Sequence, residues 1–246
     1  MASAIEKLSL VIPCFNEEQA IPSVVPRTLR SLCALKEEGK ISDFELIVVD
    51  DQSTDQSREL LLQYEDVQLV SLKKGPRGYG RALKEGFKKA QGDWVGFFDM
   101  DNSYRPEDLP LFVEEVGRKT NSFIMGQRGF NEKGMSFTRG MGNWVFMTLA
   151  RVFYGSELED VCSGYRLFHR KYLKSIIAIP EEGLDFSIYL TLAMINDDIP
   201  LSAIPIQYDE RMGPSKLSVF ADGWAFLKVV FKLKIRPFGA FKHSRV

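Results

Sequence analysis

Two aspartates one residue apart, Asp99 and Asp101, follow the apolar run Trp94 to Phe98. On an extended segment successive side chains alternate, so both carboxylates point to one side. Two hard oxygen ligands placed this way suit Mg²⁺ or Mn²⁺, which is commonly held by one or two carboxylates together with the oxygens of a substrate diphosphate. The competing reading is a solvated acidic turn. A second pair, Asp50 and Asp51, closes the run Leu46 to Val49. Ser53 or Asp55 is enough to cap the helix expected next. Two further acids exceed that need, and beside other carboxylates they call for a metal or for the hydroxyl and amide donors of a ligand. Nucleoside recognition is the chemistry that follows.

Cations form another group: Arg128, Arg139, Arg166, Arg211 and Lys216 each stand near Gly or Ser, where the backbone turns sharply or approaches a ligand closely. Arg makes bidentate phosphate contacts and Lys acts as a compact charge, so the set suits anionic groups. For any one of them an ordinary surface charge is the rival. The stretch Gly75 to Gly80 resembles a dinucleotide fingerprint with altered spacing, but that fingerprint belongs after the first strand, where Pro13-Cys14-Phe15-Asn16 stands. A nicotinamide dehydrogenase is therefore disfavoured. Backbone contact with a nucleotide and a plain turn both stay open for this loop. His169 and His243 lack matching ligands nearby in sequence and are read as non-catalytic.

These residues need a scaffold, and the first hundred positions supply a repeating one. Leu8 to Ile12, Phe44 to Val49, Val67 to Ser71 and Trp94 to Phe98 read as strands. Between them lie helical stretches at Ile21 to Leu35, up to Tyr64, and at Ala82 to Ala90, and Pro106 starts the next helix. Such alternation implies βαβ crossovers and a mostly parallel sheet flanked by helices, an α/β fold. Ligands of such sheets bind beyond the carboxyl ends of the strands, which is where the acidic clusters fall. Residues 102 to 215 are less regular, with helices expected over Val145 to Phe153 and Asp185 to Ile195.

The 246 residues, 45% hydrophobic and 26% charged, suit one large folded core and exclude disordered and fibrous classes. Lys and Arg number 32 against 33 Asp and Glu, so no global basic field marks a nucleic-acid binder. Cys14, Cys33 and Cys162 lie far apart and form neither a zinc nor a redox pair, which suggests free thiols in a reducing compartment. The N-terminus reads as a first strand rather than a signal peptide, and no run approaches the length of a membrane span.

Several motifs in order resemble the family 2 glycosyltransferases of the GT-A fold, and within them the dolichol-phosphate mannose synthase group. These are Val11-Ile12-Pro13-Cys14-Phe15-Asn16-Glu17-Glu18, Val48-Val49-Asp50-Asp51-Gln52-Ser53-Thr54-Asp55, Gly78-Tyr79-Gly80-Arg81-Ala82, Asp99-Met100-Asp101, Gly126-Gln127-Arg128, Asp160 to Arg166, and Arg211 to Leu217. The resemblance covers most of the chain and implies a Rossmann-like GT-A domain over residues 1–216. By position it implies that Pro13, Phe15, Glu17, Asp50 and Asp51 bind the nucleoside. Asp99 and Asp101 take the metal and diphosphate, Arg211 and Lys216 the donor phosphates, and Arg128 and Arg139 the acceptor phosphate. A Ser that follows the second acceptor-side Arg in the family aligns with Asn143.

The implied activity is inverting, metal-dependent transfer of a hexose from a nucleotide-diphosphate sugar to a polyprenyl or dolichyl phosphate. GDP-mannose is favoured as donor by the resemblance, with UDP-glucose as rival. Two alternatives remain: transfer to a sugar hydroxyl, with Asp160 or Asp185 as base, and a nucleotide-sugar binding module without turnover. The segment 217–246 mixes Trp224, Phe226, Phe231 and Phe238 with Lys228, Lys232, Lys234 and Arg236. It is expected to lie in a membrane interface or to pack on the core with a solvated basic face. A cytoplasmic protein peripherally bound to a membrane is the expected setting, and a membrane partner subunit is left open.

Overall fold

The computed structural model describes residues 5–118, 123–129, 137–213 and 219–241. Its first half follows the strand and helix alternation: β1 (Ile5–Cys14), α1 (Ile21–Glu37), β2 (Ile41–Asp50), α2 (Ser57–Leu61), β3 (Val67–Ser71), α3 (Tyr79–Phe87) and β4 (Trp94–Phe97). A 3₁₀ turn at Pro106–Asp108 leads into α4 (Leu109–Arg118). Then come β5 (Phe123–Arg128), α5 (Phe137–Tyr154), β6 (Arg166–His169), the short α6 (Leu173–Ile177), α7 (Asp185–Asn196), β7 (Ser202–Ile206) and α8 (Val219–Ile235).

The strands form one seven-stranded sheet in the order β3-β2-β1-β4-β6-β5-β7. All neighbours are parallel except that β6 runs antiparallel to both β4 and β5. No strand is expected from the sequence at β6 or β7, which lack the apolar runs of the first half: β6 has two apolar residues between Arg166 and His169, and β7 carries Pro205.

The period of two shows in the core. Leu8, Leu10 and Ile12 of β1, with Leu46 and Val48 of β2, pack under α1 and α4. Val11, Ile47 and Val49 point the other way, into the cluster that contains α3, α7 and part of α8. Both faces are apolar because helices cover both. The crossover through α1 lies on one face and α3 on the other, so a crevice opens beyond the ends of β1 and β4, where the chain direction switches.

Residues 222–241, which include most of α8, have two faces. Phe226, Val229, Val230, Leu233 and Phe241 are buried in the α3 and α7 cluster. Trp224, Phe231 and Ile235 are exposed. Among the described residues no helix is long and apolar enough to cross a membrane. All three cysteines are free.

Candidate active site

The crevice is a cleft of about 510 Å³. Of the residues expected to carry chemistry, it brings together Pro13, Phe15, Glu17, Asp51, Asp99, Asp101, Arg128 and Arg211. Their placement begins with two loops that hold each other. Asn16, at a φ of 52°, accepts from the Thr54 amide at 2.7 Å, and its own amide donates to the Ser53 hydroxyl at 3.0 Å. The Glu17 amide donates to the Ser57 hydroxyl at 2.8 Å, and Glu18 accepts from the Gln56 amide at 2.9 Å. Asp55 accepts from the Ser57 amide at 2.9 Å, which serves the start of α2, whereas Ser53 is engaged with Asn16 and caps nothing. Much of the two motifs is thus mutual bracing of the β1 and β2 loops.

Asp50 and Asp51 part company. Asp51 lines the cleft and accepts from the Gly78 amide at 2.7 Å, with Arg81 Nη1 at 3.4 Å. Asp50 is not part of the cleft wall: its buried carboxylate accepts from the Ser53 amide at 3.1 Å and holds the turn. Its expected contact with the nucleoside is corrected to a structural role, because adjacent residues at a strand end project to opposite sides. The Gly-rich loop is also no phosphate cradle at the start of α3. Its amides are already engaged, Gly78 by Asp51, Gly80 by the Gly183 carbonyl at 3.2 Å and Arg81 by the Glu182 carbonyl at 3.0 Å. A Cβ at Gly78 would stand 2.3 Å from the Glu182 carbonyl oxygen, so only glycine permits this approach. Beside this loop, the Arg77 guanidinium lies 4.4 Å from the centre of the Phe15 ring.

Asp99 and Asp101 both face the cleft, but from a turn beyond β4 rather than from the strand, so the turn and not strand alternation brings them together. Asn102 at φ 68° closes that turn, and Arg27 of α1 holds its side chain at 2.7 Å. Asp99 accepts from the Tyr79 hydroxyl at 2.8 Å. Asp101 accepts from the Ser103 amide at 3.0 Å and from the Ser103 hydroxyl. Burial first, and then the charge of Asp101, push the Asp99 carboxyl up to about 7. Arg128 and Arg211 offset only part of that shift, and the hard oxygen donors of the pair fit a divalent cation. Gly164 keeps the space open, since a Cβ there would come within 3.1 Å of Asp99 Oδ2.

Arg211 bridges two walls, with Nη1 3.5 Å from Asp101 Oδ2 and Nη2 3.6 Å from Glu17 Oε1. Arg128 is held in a fork by Asp160, Nε to Oδ2 at 2.5 Å and Nη2 to Oδ1 at 2.9 Å, and its guanidinium lies 5.2 Å from the Tyr208 ring centre. Burial opposes the Arg128 charge, and Asp160 more than restores it, holding the guanidinium well above its usual range. Asp160 is fully buried and committed to this pair, so it is not available as a base. Asp185 starts α7 and does not line the cleft.

Arg166 is corrected outright as a phosphate ligand. It is fully buried, donates to the carbonyls of Ser163 and Ser187 at 2.9 and 2.8 Å, and burial pulls it down to about 10. Arg139 lies in the first turn of α5, with its side chain outside the described residues, and Lys216 lies outside them altogether. Cleft residues to which the sequence assigns no role include Tyr79, Tyr104, Phe146, Tyr208 and Asp222, and Phe226, expected in a membrane interface or on the core, also lines the cleft. For Tyr79 a signal existed, its place between the glycines of a motif. The others come from elements whose approach to the cleft is a matter of tertiary packing.

Residues 9–177 match glycosyl transferase family 2. The chain is 29% identical over 226 residues to the dolichyl-phosphate beta-glucosyltransferase ALG5A of Trichomonas vaginalis, covering 86% of this chain and 68% of the relative. It is 28% identical over 229 residues to the dolichyl-phosphate hexose transferase of Haloferax volcanii, covering 93% and 94%. Of other curated relatives it spans about half the length, 52% and 54%. Among solved structures, glucosyl-3-phosphoglycerate synthase of Mycobacterium tuberculosis, in complex with Mn²⁺, UDP and glucosyl-3-phosphoglycerate, superposes with a TM-score of 0.71 at 22% identity, over 92% of this chain and 79% of that one. The fold is GT-A.

Proposed function

The chain belongs to glycosyl transferase family 2, and from that premise we propose that it moves a hexose from a nucleoside-diphosphate sugar to a polyprenyl or dolichyl phosphate. The observation that carries the reading is the convergence of Asp99 and Asp101 with Arg211 and Glu17 in one cleft beyond β1 and β4. Phe15, Asp51 and Arg77 form the wall offered to the base. Arg211 stands where a donor diphosphate would meet it, and Arg128, fixed by Asp160, offers a rigid cation to the acceptor phosphate. Asp99 and Asp101 would hold Mg²⁺ or Mn²⁺. The bound ion supplies charge that stabilises the departing nucleoside diphosphate.

A phosphate acceptor needs no strong base, because its oxygen is already ionised near neutral pH, with a second pKa of about 6. The clamping of Asp160 by Arg128 and the position of Asp185 off the cleft wall support the phosphate acceptor over the hydroxyl-acceptor alternative. For the donor, the glucosyltransferase relative and the UDP-bound neighbour support a uridine-diphosphate hexose ahead of GDP-mannose. Thermal-shift measurements with UDP, GDP and their sugars, with Mg²⁺ or Mn²⁺, test the donor. Transfer of labelled hexose to dolichyl phosphate, compared with a free glycan, tests the acceptor. Transfer to the glycan alone would overturn the proposal.

Access to a lipid is proposed through the outer faces of α5 and α8. Trp144, Val152, Trp224, Phe231 and Ile235 are exposed there beside Lys228, Lys232 and Lys234. Aromatic and aliphatic groups with snorkelling Lys stems suit an anionic bilayer surface, so the protein would work peripherally, at the cytoplasmic side that its free thiols suggest. Co-sedimentation with anionic liposomes should fall in a Trp224→Ser/Phe231→Ser variant and with added salt. Indifference to lipid charge, salt and substitution would sink this part.

A further inference from the structure

The turn that carries Asp99 and Asp101 is gripped from behind by a residue that belongs to none of the motifs. Arg27 lies on α1, 75 positions before Asn102, and off the cleft wall. Its three nitrogens all take partners on one loop. Nη1 donates to Asn102 Oδ1 at 2.7 Å, while Nε and Nη2 donate to Glu107 Oε1 and Oε2 at 2.8 and 2.7 Å. A single planar guanidinium therefore holds the loop at Asn102, next to Asp101, and again at Glu107 in the 3₁₀ turn that follows.

The two contacts do different things. The Glu107 side chain is 51% exposed, and an ion pair so open to water adds little to stability. What its fork does fix is the plane of the guanidinium, and so the direction of Nη1, which reaches a part-buried contact with Asn102. Asn102 has a φ of 68°, in the left-handed region that residues with a Cβ rarely occupy. There the chain turns, and Ser103 comes back onto Asp101 Oδ1 through its amide at 3.0 Å and through its hydroxyl. On the other flank the Met212 amide donates to the Asp101 carbonyl at 2.8 Å and the Asp209 amide to the Ser103 carbonyl at 2.9 Å. Those bonds hold the residues on either side of Asn102, and Arg27 holds the side chain of Asn102 itself.

We infer that Arg27 is a positioning residue for the metal ligands: through Asn102 it fixes the turn in which the carboxylates of Asp99 and Asp101 are presented to a divalent cation. The inference rests on the metal reading of that pair above. It makes a prediction opposite in sign to simple charge. Arg27 is a cation behind an acidic turn, so by charge alone its removal would favour the binding of another cation. Loss of support for the ligands works the other way, since outer-shell groups of a metal site are worth about 10–100-fold in metal affinity.

The test is titration of the full chain with Mn²⁺, followed by the electron paramagnetic resonance signal of the free ion. Arg27→Met should weaken Mn²⁺ by about tenfold with circular dichroism unchanged. Arg27→Lys restores the charge without the fork and should weaken it to a similar extent. Asn102→Gly takes a positive φ readily but leaves no side chain to hold, and it should lose about as much as Arg27→Met. With Asn102→Gly already in place, adding Arg27→Met should change Mn²⁺ affinity by less than about twofold, because the two act as one unit. Unchanged or tighter Mn²⁺ binding in Arg27→Met overturns the inference, as does full affinity in Arg27→Lys or in Asn102→Gly. A further tenfold loss on combining Arg27→Met with Asn102→Gly also overturns it, since Arg27 would then act by another route. A wild-type chain that takes up no Mn²⁺ overturns the metal reading itself, and the inference with it.

Discussion

Replacing Asp99 by Asn should make the metal-free protein more stable while it abolishes transfer. The carboxyl is pushed from an ordinary 3.8 to about 7, by burial and then by Asp101. A native pKa above the unfolded one means that the native state binds the proton more tightly. Unfolding then releases a proton between these two values, so the contribution of Asp99 to stability falls as pH rises from 3.8 to about 7 and is flat outside that window. At about 1.4 kcal/mol per pH unit the full shift is worth about 4 kcal/mol. Solvent in the cleft screens part of this, leaving about 2–3 kcal/mol. An Asn carbonyl still accepts from Tyr79, so that hydrogen bond survives. At pH 8 the variant should melt about 4–12 °C above the wild type. Urea titrations at pH 5 should show a gap of about a third of the pH 8 value. Saturating Mn²⁺ should narrow the gap at pH 8, because the cation stabilises the wild type alone. A variant no more stable than wild type at pH 8, or a gap that does not change with pH, would refute the reasoning.

Asp101→Asn should lower kcat by at least about 100-fold with circular dichroism unchanged; metal-dependent transfer near the wild-type rate would remove the acidic-pair assignment. Arg128→Ala leaves the Asp160 charge buried without its partner and should cost about 3–5 kcal/mol in urea denaturation, part of it recovered by adding Asp160→Asn. Full stability of the single variant would contradict that pairing. Arg128→Lys keeps the charge but not the fork and should raise the acceptor KM with donor affinity little changed, whereas an equal loss of donor binding would place Arg128 on the wrong phosphate. Tyr79→Phe removes the hydroxyl 2.8 Å from Asp99 and should weaken Mn²⁺ binding by about tenfold, since hydrogen bonds to charged groups are worth about 1.5–3 kcal/mol; unchanged titration would show that Tyr79 does not hold that carboxylate in its working position.

The sequence by itself determined the scaffold of the first half and the acidic ends of its strands. There, long apolar runs with a period of two alternate with helical stretches, and the physics is local: Val11 and Ile12 face opposite clusters because neighbouring side chains on a strand must. Asp51, Asp99 and Asp101, read from the carboxyl ends of the strands, line the cleft, and so do Arg128 and Arg211, which stand out by their Gly and Ser surroundings and by family resemblance. Only the tertiary structure decided which charges face the ligand. Asp50 and Asp51 look alike in sequence, yet one holds a turn and the other the cleft wall. Arg128 and Arg166 both sit in Gly and Ser surroundings, yet Arg166 is fully buried with backbone carbonyls as partners, and Arg128 lines the cleft, held by Asp160. Strands β6 and β7, without the apolar runs of β3 and β4, gain their form from neighbours in the sheet rather than from their own pattern. The wall built by α5 and α8 has the same origin: Asn143 and Asp222 are 79 positions apart in the chain, and both line the cleft because the two helices pack side by side.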